Sequence, residues 1–426
     1  MPLMAKIFIR GLDMEISRDR YVQQMINKKH NGLIKVITGI RRCGKSYLMD
    51  PLFKRHLIAE GVPKDHIIKI ELDRPEYMKY HNDPIAFDHF VREYIRDDMQ
   101  YYLLLDEIQL VKNFEYVLNG FLYDRNLDVY VTGSNSKFLS TDIISEFRGR
   151  ADQIHLFPLS FSEFYPTVSC DKYDAWREYL TFGGMPLAVE KKTDEEKAAY
   201  LKDLFEQTYF TDIVNRNRIK RKDLLDAIVD ILASSIGSLT NTQKVYDTFK
   251  SHGEKELSLN TVNSYITCLE DAFVVKKAFR YDVKGRKYIG TPQKYYFTDL
   301  GLRNARLNFR QQEETYLTEN AIFNELLYRG YNVDIGVVEI RENGKRLQTE
   351  VDFICNKGNN RFYIQSALHL DTREKAIQES RSLNHIKDSF KKIIIVGDNI
   401  KPWWTDDGIF VMGILDFLLD QESLMH

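Results

Sequence analysis

Apolar residues in the first part of the chain occur in short continuous runs, each followed by glycine, small polar residues or carboxylates. The runs cover residues 33–38 (LIKVIT), 66–72 (HIIKIEL), 101–105 (YYLLL) and 128–132 (DVYVT). Runs of β-branched and aromatic residues of this length are typical of strands that are buried on both faces of a parallel sheet. The pattern therefore predicts an α/β core with polar residues at the carboxyl ends of its strands.

Helices and turns are predicted between and after these runs. Residues 87–98 have helical periodicity, and the alternating segment 154–159 leads to Ser160 and Glu163. A serine followed three residues later by a glutamate has the spacing of a capping box, in which each side chain bonds the backbone N–H of the other residue. We therefore expect a helix to begin at Ser160.

A different pattern begins near residue 223. Helical periodicity and then alternating strands occur at residues 224–236, 242–249, 258–269, 274–281 and 294–298. Three helices followed by a hairpin are typical of a winged-helix domain, in which the third helix and the hairpin loop contact DNA.

The predicted third helix carries few side chains that suit DNA reading. Only Asn260 and Asn263 offer groups of the kind that contact base edges, whereas the hairpin loop at residues 284–287 (KGRK) is basic. Winged helices also act as protein-binding modules. The pattern leaves DNA contact and protein contact open.

The run at residues 33–38 leads directly into the sequence GIRRCGKS, which fits the pattern G-x-x-x-x-G-K-[ST]. Between a strand and a helix, this pattern marks a phosphate-binding loop, or P-loop (Walker A motif). Its glycines let backbone N–H groups point toward phosphates, its lysine reaches the β- and γ-phosphates, and its serine holds Mg2+. The residues expected to contact the nucleotide are Gly39, Ile40, Arg41, Arg42, Cys43, Gly44, Lys45, Ser46 and Tyr47.

Two carboxylates follow the apolar run at residues 101–105. In a parallel sheet, Asp106 and Glu107 would lie at the edge where the ligand binds. We expect Asp106 to organise Mg2+ together with Ser46, as a Walker B aspartate does. Glu107 is expected to orient and polarise the attacking water.

Two further segments suggest catalytic side chains. Ser134 and Asn135 follow the strand at residues 128–132, and either one is a candidate to contact the γ-phosphate or the water. Arg148 or Arg150 is a candidate arginine finger, with Arg150 preferred.

The order of several segments resembles that of one family. The segments are GIRRCGKS (39–46), LLLDEIQ (103–109), VTGSNS (131–136), FRGR (147–150) and LFPLSFSEF (156–164). Together they resemble prokaryotic AAA+-like ATPases that carry an uncharacterised C-terminal domain, and the resemblance covers nearly the whole chain. It implies a helical lid after the core, in which residues 183–186 (GGMP) match a Gly-Gly-x-Pro element. Glycines here are expected to end a helix, and Pro186 to begin the next segment.

The last part of the chain, residues 306–426, carries acidic residues in an order similar to that of PD-(D/E)xK nucleases. Glu319 lies in a predicted helix, Asp352 in a predicted strand, and Gln365 and Ala367 in the strand that follows. In that fold the carboxylates bind Mg2+, and a lysine two residues after the last acid steadies the nucleophile. Gln365 replaces the acid here, and Ala367 replaces the lysine. We therefore expect an α/β, restriction-endonuclease-like domain without nuclease activity.

Composition limits the class of protein. The net charge is −2, with 43% hydrophobic and 29% charged residues, so any nucleic-acid site would be a local patch. No run is long enough for a transmembrane helix. The cysteines Cys43, Cys170, Cys268 and Cys355 lie far apart without a C-x-x-C spacing, which indicates reduced thiols and no cysteine-based zinc site. We expect a cytoplasmic protein without membrane contact.

A chain of 426 residues is too long for one core. We predict a P-loop ATPase core at 1–165, a helical lid at 166–222, a winged-helix domain at 223–305 and an inactive nuclease-like domain at 306–426.

The combined prediction is an AAA+-like ATPase that hydrolyses ATP with Mg2+ and couples its nucleotide state to a DNA or protein partner through the C-terminal domains. Two alternatives stay open: a nucleotide-gated binding switch with little turnover, and an ATP-dependent DNA nuclease. The resemblance also allows a homo-oligomer.

Overall fold

The structure of the chain is a computed structural model, and it describes residues 16–133, 147, 149–251, 257–310, 313–342 and 344–426. The chain forms two compact units. The first comprises Met1–Pro158 with Asp271–Phe273, and the second comprises Leu159–Glu270 with Val274–His426. Within the described ranges, no helix is both long and apolar enough to cross a membrane.

A five-stranded sheet forms the centre of the first unit. Its strands are β1 (Ile34–Thr38), β2 (Ile67–Glu71), β3 (Tyr101–Asp106), β4 (Leu127–Gly133) and β5 (Ala151–His155). The strand order is β2-β3-β4-β1-β5, and every neighbouring pair is parallel. All five carboxyl ends therefore lie at one edge, and the prediction of a parallel α/β core is confirmed.

The continuous apolar pattern of the central strands follows from their burial. Every residue of β1, β3 and β4 is buried. Lys35 on β1 and Asp128 on β4 are charged, and they form an ion pair whose side chains are 0% and 5% exposed. Pairing is what makes two charges tolerable inside such a sheet, because an unpaired buried charge would cost several kcal/mol.

Helices cover the first sheet. They are α1 (Asp19–Asn27), α2 (Lys45–Tyr47), α3 (Lys54–Ala59), α4 (Pro84–Arg92) and α5 (Phe114–Phe121), and a kinked segment, Leu48–Phe53, in which Asp50 has a non-helical backbone conformation, joins α2 to α3. Apolar side chains of α4 and α5, among them Phe87, Val91 and Leu118, pack with the strands in one hydrophobic cluster.

The helix α4 begins and ends earlier than residues 87–98, the range that periodicity predicted. The carboxylate of Asp83 accepts a hydrogen bond from Ala86 N at 2.9 Å and so caps the helix, and Pro84 occupies its first turn. Both features favour a helix start at this point.

The helices from residue 159 onward belong mainly to the second unit. They are α6 (Phe161–Phe164), α7 (Lys172–Phe182), α8 (Pro186–Val189), α9 (Asp194–Asp203), α10 (Thr211–Asn217), α11 (Lys222–Ser234), α12 (Thr242–Ser251), α13 (Leu259–Asp271), α14 (Leu300–Arg306), α15 (Glu314–Tyr328), α16 (Arg373–Asn384) and α17 (Ile414–Leu419). The predicted capping box is present at the start of α6, where Ser160 and Glu163 each bond the backbone of the other.

The glycine pair after α7 is fixed by a contact that the sequence did not suggest. Gly183 has a φ of +70°, and a Cβ on it would lie 2.4 Å from Oδ1 of Asp299. Gly184 N donates to Oδ2 of the same carboxylate at 2.7 Å. Burial raises the pKa of Asp299 to about 6, while the backbone N–H groups oppose that shift. Glycine is therefore required at residue 183 both by its backbone conformation and by this close carboxylate.

An eight-stranded mixed sheet forms the second unit's other layer. Its strands are β6 (Val275–Asp282), β7 (Lys287–Phe297), β8 (Asn332–Glu342), β9 (Lys345–Lys357), β10 (Asn360–Ala367), β11 (Lys391–Val396), β12 (Trp403–Trp404) and β13 (Ile409–Gly413). The order is β12-β13-β11-β10-β9-β8-β6-β7. The sheet is continuous across residue 305, where the sequence analysis placed a domain boundary, and that boundary stays a prediction.

The segment from α11 to β7 contains three helices and an antiparallel hairpin, as the pattern predicted. An isolated bridge pairs Thr240, between α11 and α12, with Gln293 of β7. The hairpin turn is held by the carboxylate of Asp282, which accepts from Lys284 N and Gly285 N.

Candidate functional site

The glycine loop between β1 and α2 has a conformation that only glycine allows at its first position. Gly39 has a φ of +145°, and a Cβ there would lie 2.1 Å from the carbonyl oxygen of Leu156. The two segments approach this closely because Leu156 N donates to Thr38 O at 2.7 Å. Gly44, with a φ of +102°, ends the loop at the start of α2.

The ammonium of Lys45 lies inside this loop. The side chain is buried, and its Nζ donates to the carbonyl oxygens of Gly39 and Ile40 at 3.0 Å each. Both acceptors are neutral, so these bonds leave the lysine's charge uncompensated by a formal negative charge. A phosphate oxygen would be a stronger acceptor for the same ammonium than either carbonyl.

The acidic end of β3 is tied to the neighbouring strand β4 by one hydroxyl. Oγ1 of Thr132 donates to Oδ1 of Asp106 at 2.5 Å and accepts from Glu107 N at 3.0 Å. The contact is possible because β4 lies between β1 and β3 in the sheet. Thr132 therefore fixes both the carboxylate of Asp106 and the backbone from which Glu107 projects.

The side chain of Glu107 leaves the strand at a left-handed backbone position, with a φ of +55°. Burial raises the pKa of its carboxyl, while the charge of Lys45 opposes that shift and the charge of Asp106 adds to it. Gln109 donates to Oε2 of Glu107. The Lys45 loop and the acidic strand end thus form one electrostatic site.

The other predicted loop residues differ in burial. Cys43 and Ile40 are buried, Arg41, Arg42 and Ser46 are exposed, and Tyr47 is half-buried. The thiol of Cys43 has a raised pKa because of its burial. An exposed hydroxyl and exposed guanidinium groups beside the buried lysine are accessible to a ligand.

The other residues predicted to act at the site are Ser134, Asn135, Arg148 and Arg150. Ser134, Asn135 and Arg148 lie outside the described residues. Gly133, the last residue of β4, pairs with Thr38 of β1. Arg150 has an exposed side chain, and its backbone carbonyl accepts from Ile34 N at 2.9 Å.

Thr132 was missed by the sequence analysis. The signal was present, because a threonine follows the apolar residues Val129, Tyr130 and Val131 in a strand that is buried throughout. A hydroxyl in such a strand needs a hydrogen-bond partner. Which partner it finds depends on the strand order, and the run of residues alone does not reveal that order.

The acidic residues of the last predicted domain also come together, in the second unit. Glu319 on α15 and Glu350 and Asp352 on β9 surround the ammonium of Lys294 from β7. Gln365, on β10, accepts weakly from Asp352 N at 3.4 Å and donates to Glu379 at 3.3 Å. Lys294 was not predicted as part of this group.

Comparison with protein families finds two matches along the chain. Residues 31–165 match an AAA domain. Residues 173–313 match a domain of unknown function, DUF8612. The AAA-domain match spans the glycine loop, the acidic strand end and β4, and it supports the prediction of an AAA+-like ATPase core.

Two relatives match almost the entire chain. An uncharacterized protein of Haemophilus influenzae is 33% identical over 411 residues, which cover 95% of this chain and 98% of the relative. The uncharacterized protein MJ1544 of Methanocaldococcus jannaschii is 27% identical over 425 residues, covering 96% of this chain and 89% of the relative.

Among solved structures, the Walker-type ATPase PABY2304 of Pyrococcus abyssi is similar to this chain. It aligns with a TM-score of 0.49 and 14% identity, covering 71% of this chain and 99% of that one. A TM-score below 0.5 does not establish a shared fold. The assignment of the core therefore rests on the AAA-domain match and on the sheet itself.

Proposed function

We propose that the chain, which belongs to the family of the Haemophilus influenzae protein, is an Mg2+-dependent ATPase. The proposal rests on the AAA-domain match at residues 31–165. The residues proposed to carry the reaction are Lys45, Asp106 and Glu107.

Each residue has a role that follows from its position. The Lys45 ammonium, now bonded to two carbonyls, would move to the β- and γ-phosphate oxygens of ATP. Ser46 and Asp106 would hold Mg2+, which supplies positive charge against the phosphate oxygens. Glu107, whose pKa is raised by burial, would accept hydrogen bonds from the attacking water.

The observation that carries this proposal is the bridge made by Thr132. One hydroxyl bonds both the Asp106 carboxylate and the Glu107 backbone, at 2.5 Å and 3.0 Å. This bridge holds a metal-binding group and a water-orienting group at the end of β3, which is separated by β4 from β1, the strand that leads into the glycine loop. Preorganised groups of this kind are how proteins accelerate phosphoryl transfer, because there is little covalent chemistry for the protein to perform.

The test is ATP turnover in two variants, Lys45→Ala and Glu107→Gln, measured as phosphate release. Loss of one preorganised charged contact typically lowers the rate roughly 100- to 1000-fold. Glu107→Gln is expected to retain ATP binding, since it keeps the shape of the side chain.

Glu71→Gln is the matched control. Glu71 ends the adjacent strand β2, opposite Asp106 in the sheet register, and it pairs with Lys69 and Arg74. Its replacement should leave turnover near the wild-type rate. Turnover unchanged in both Lys45→Ala and Glu107→Gln would refute the ATPase assignment.

We propose two further contributions to the reaction. Ser134 or Asn135 would contact the γ-phosphate or the water, and Arg150 would act as the arginine finger. The first pair follows directly on β4, whose last residue pairs with β1 beside the glycine loop. Arg150 is exposed, as an arginine finger that serves another subunit's nucleotide must be. If Arg150 acts in that way, Arg150→Ala lowers turnover at high protein concentration and has little effect at low concentration, where subunits are apart.

We further propose that the second unit engages a partner, with residues 223–305 as a winged-helix domain, after a lid at 166–222. The Thr240–Gln293 bridge supports the winged-helix assignment, because it pairs the segment between the first two helices with the hairpin. The alternative, a nucleotide-gated switch with little turnover, would engage its partner through the same winged-helix domain. Partner affinity that differs between ADP and a non-hydrolysable ATP analogue, together with negligible phosphate release, would identify a switch.

A surface on the hairpin favours DNA as that partner. Phe279 and Tyr288 are 46% and 65% exposed, and their ring centroids lie 6.3 Å apart. The turn beside them carries the exposed cations Lys284, Arg286 and Lys287. Exposed aromatic rings with neighbouring cations are suited to stacking on bases and contacting phosphates.

DNA binding is tested by reversing the three hairpin charges to glutamate and measuring anisotropy of a labelled duplex and a labelled single strand. The triple variant should lose most affinity and much of the salt dependence of binding. Reversal of Lys345 and Arg346, exposed cations of the β8–β9 turn, is the control. Equal losses in both variants, or none, would exclude the hairpin as the DNA site.

A further inference from the structure

Lys294 lies at the centre of three carboxylates in the second unit. Its Nζ is 2.6 Å from Oε1 of Glu350, 2.9 Å from Oε1 of Glu319 and 3.8 Å from Oδ1 of Asp352. The four side chains come from β7, α15 and β9, so the contact exists only in the folded chain. We refer to these four residues as the Lys294 cluster.

Most of the cluster is removed from water, and Glu350 is its most exposed member. The side chain of Lys294 is 4% exposed, and those of Glu319, Asp352 and Glu350 are 8%, 11% and 28% exposed. Burying a single charge without a partner costs several kcal/mol, so the ammonium and the carboxylates depend on each other. Removing the ammonium alone would leave like charges facing one another in a dry site.

Two of the three carboxylates accept further hydrogen bonds. Tyr296 donates its hydroxyl to Oε1 of Glu319 at 2.6 Å, and Ser366 N donates to Oδ2 of Asp352 at 2.8 Å. The carboxylates are thus oriented toward the ammonium by further hydrogen bonds. This arrangement resembles the surroundings of a bound cation, with an amino group of the chain in the central position.

The sequence pattern placed a missing lysine at residue 367. Ala367 is 2% exposed and packs in the hydrophobic cluster with Tyr363 and Val396, so no amino group belongs at that position. The amino group instead reaches the carboxylates from β7. Because Lys294 is buried, a macromolecular substrate does not reach it, and the cluster is not arranged for attack on DNA.

We infer that Lys294 is a built-in cation, whose ammonium takes the position that a divalent metal ion would otherwise fill between Glu319, Glu350 and Asp352. Among the described residues, no group of three or more His, Cys, Asp or Glu side chains is arranged to hold a metal ion. The inference does not depend on ATP hydrolysis, and it accounts for an acidic cluster that needs no metal.

The test compares Lys294→Met with wild type and with Lys277→Met, in nucleotide-free protein and with Mn2+ as the probe. Lys277, on the other strand of the hairpin, pairs with Glu270 at 3.0 Å with both side chains partly exposed. Lys294→Met should lower the melting temperature by roughly 10 °C, and Mn2+ should restore about half of that loss by binding the freed carboxylates. Wild type and Lys277→Met should not respond to Mn2+.

If Lys294→Met does not fold, the double variant Lys294→Met with Glu319→Gln provides the measurement. Removing one carboxylate together with the ammonium relieves the repulsion, so this variant should fold again. Three results would overturn the inference: a folded Lys294→Met that Mn2+ does not stabilise, a double variant that also fails to fold, or a wild-type Mn2+ response that Glu319→Gln abolishes.

Discussion

Lys45 and Lys294 are both buried lysines, and they differ in what surrounds the ammonium. Lys45, in the first unit, donates to two neutral carbonyls of its own loop at 3.0 Å. Lys294, in the second unit, is enclosed by three carboxylates and is 4% exposed. The carboxylates raise the pKa of Lys294 against the opposing effect of burial, so its amino group stays charged.

This difference separates a lysine that can bind a ligand from one that stabilises the fold. When the Lys45 ammonium exchanges a carbonyl oxygen for a phosphate oxygen, its hydrogen bond becomes stronger, because hydrogen bonds between charged groups are about twice as strong as neutral ones. Exchanging buried carboxylates for an external anion would expose uncompensated charges and lose energy. Burial of a lysine alone therefore does not indicate function, and the charge of its partners does.

The strongest test of the comparison replaces Lys45 with methionine. ATP turnover should fall roughly 100- to 1000-fold, since the phosphates lose their positive partner. The melting temperature should change by less than about 4 °C, because only two carbonyl bonds are lost. Phosphate release and thermal unfolding on the same preparation measure both effects.

Lys54→Met is the control for this change, since Lys54 lies in the helix that follows and its partner, Asp50, is only partly buried. It should retain turnover. The comparison would be contradicted if Lys45→Met destabilised the protein while its folded molecules still hydrolysed ATP at the wild-type rate.

The second test replaces Lys294 with methionine and is expected to give the opposite pair of effects. The free energy of unfolding should fall by about 3–5 kcal/mol, the usual result of removing one partner from a buried ion cluster. ATP turnover per folded molecule should stay unchanged. Urea denaturation followed by tryptophan fluorescence, with phosphate release in parallel, checks both. Lost turnover at unchanged stability would show that Lys294 serves the reaction.

The third test concerns pH and the Lys294 cluster. Burial, together with the charge of Glu319, raises the pKa of Asp352 to about 8, while Lys294 opposes the shift. The folded chain then keeps a proton that the unfolded chain releases, so the stabilisation is full below about pH 4 and is lost as the pH rises toward 8. The slope cannot exceed about 1.4 kcal/mol per pH unit for one proton.

Asp352→Asn should flatten this dependence, because the amide does not titrate. Urea denaturation between about pH 5 and pH 8 measures it, and Asp371→Asn, at an exposed position before α16, should retain the wild-type slope. An equal slope in wild type and Asp352→Asn would show that Asp352 does not carry the proton. The other titratable groups that face this site are Lys294, Glu319, Glu350 and Tyr296.

The smallest expected effect comes from Thr132 in the first unit. Thr132→Val keeps the shape of the side chain but removes the hydroxyl that bonds Asp106 and Glu107. We expect turnover to fall about tenfold, which corresponds to about 1.4 kcal/mol. Thr132→Ser restores the hydroxyl and should recover most of the rate. If serine and valine were equally impaired, packing and not the hydrogen bonds would explain the loss.

Local features of the fold were predictable because their causes lie within a few residues. The central strands β1, β3 and β4 follow from continuous apolar runs, since residues buried on both faces of a sheet leave no polar alternation. The start of α6 follows from the spacing of Ser160 and Glu163. The start of α4 was less predictable, because the cap at Asp83 places it upstream of the periodic segment.

The sequence by itself determined the glycine loop, the acidic strand end and the acidic residues of the second unit, because each is a short motif whose chemistry depends on residue type and spacing. Only the tertiary structure decided which distant groups meet them. Thr132 reaches Asp106 because β4 lies beside β3, Asp299 requires glycine at residue 183, and Lys294 enters a cluster formed by α15 and β9. Charge compensation acts through space, so the partners of Lys45 and Lys294 depend on which elements lie beside them in the fold.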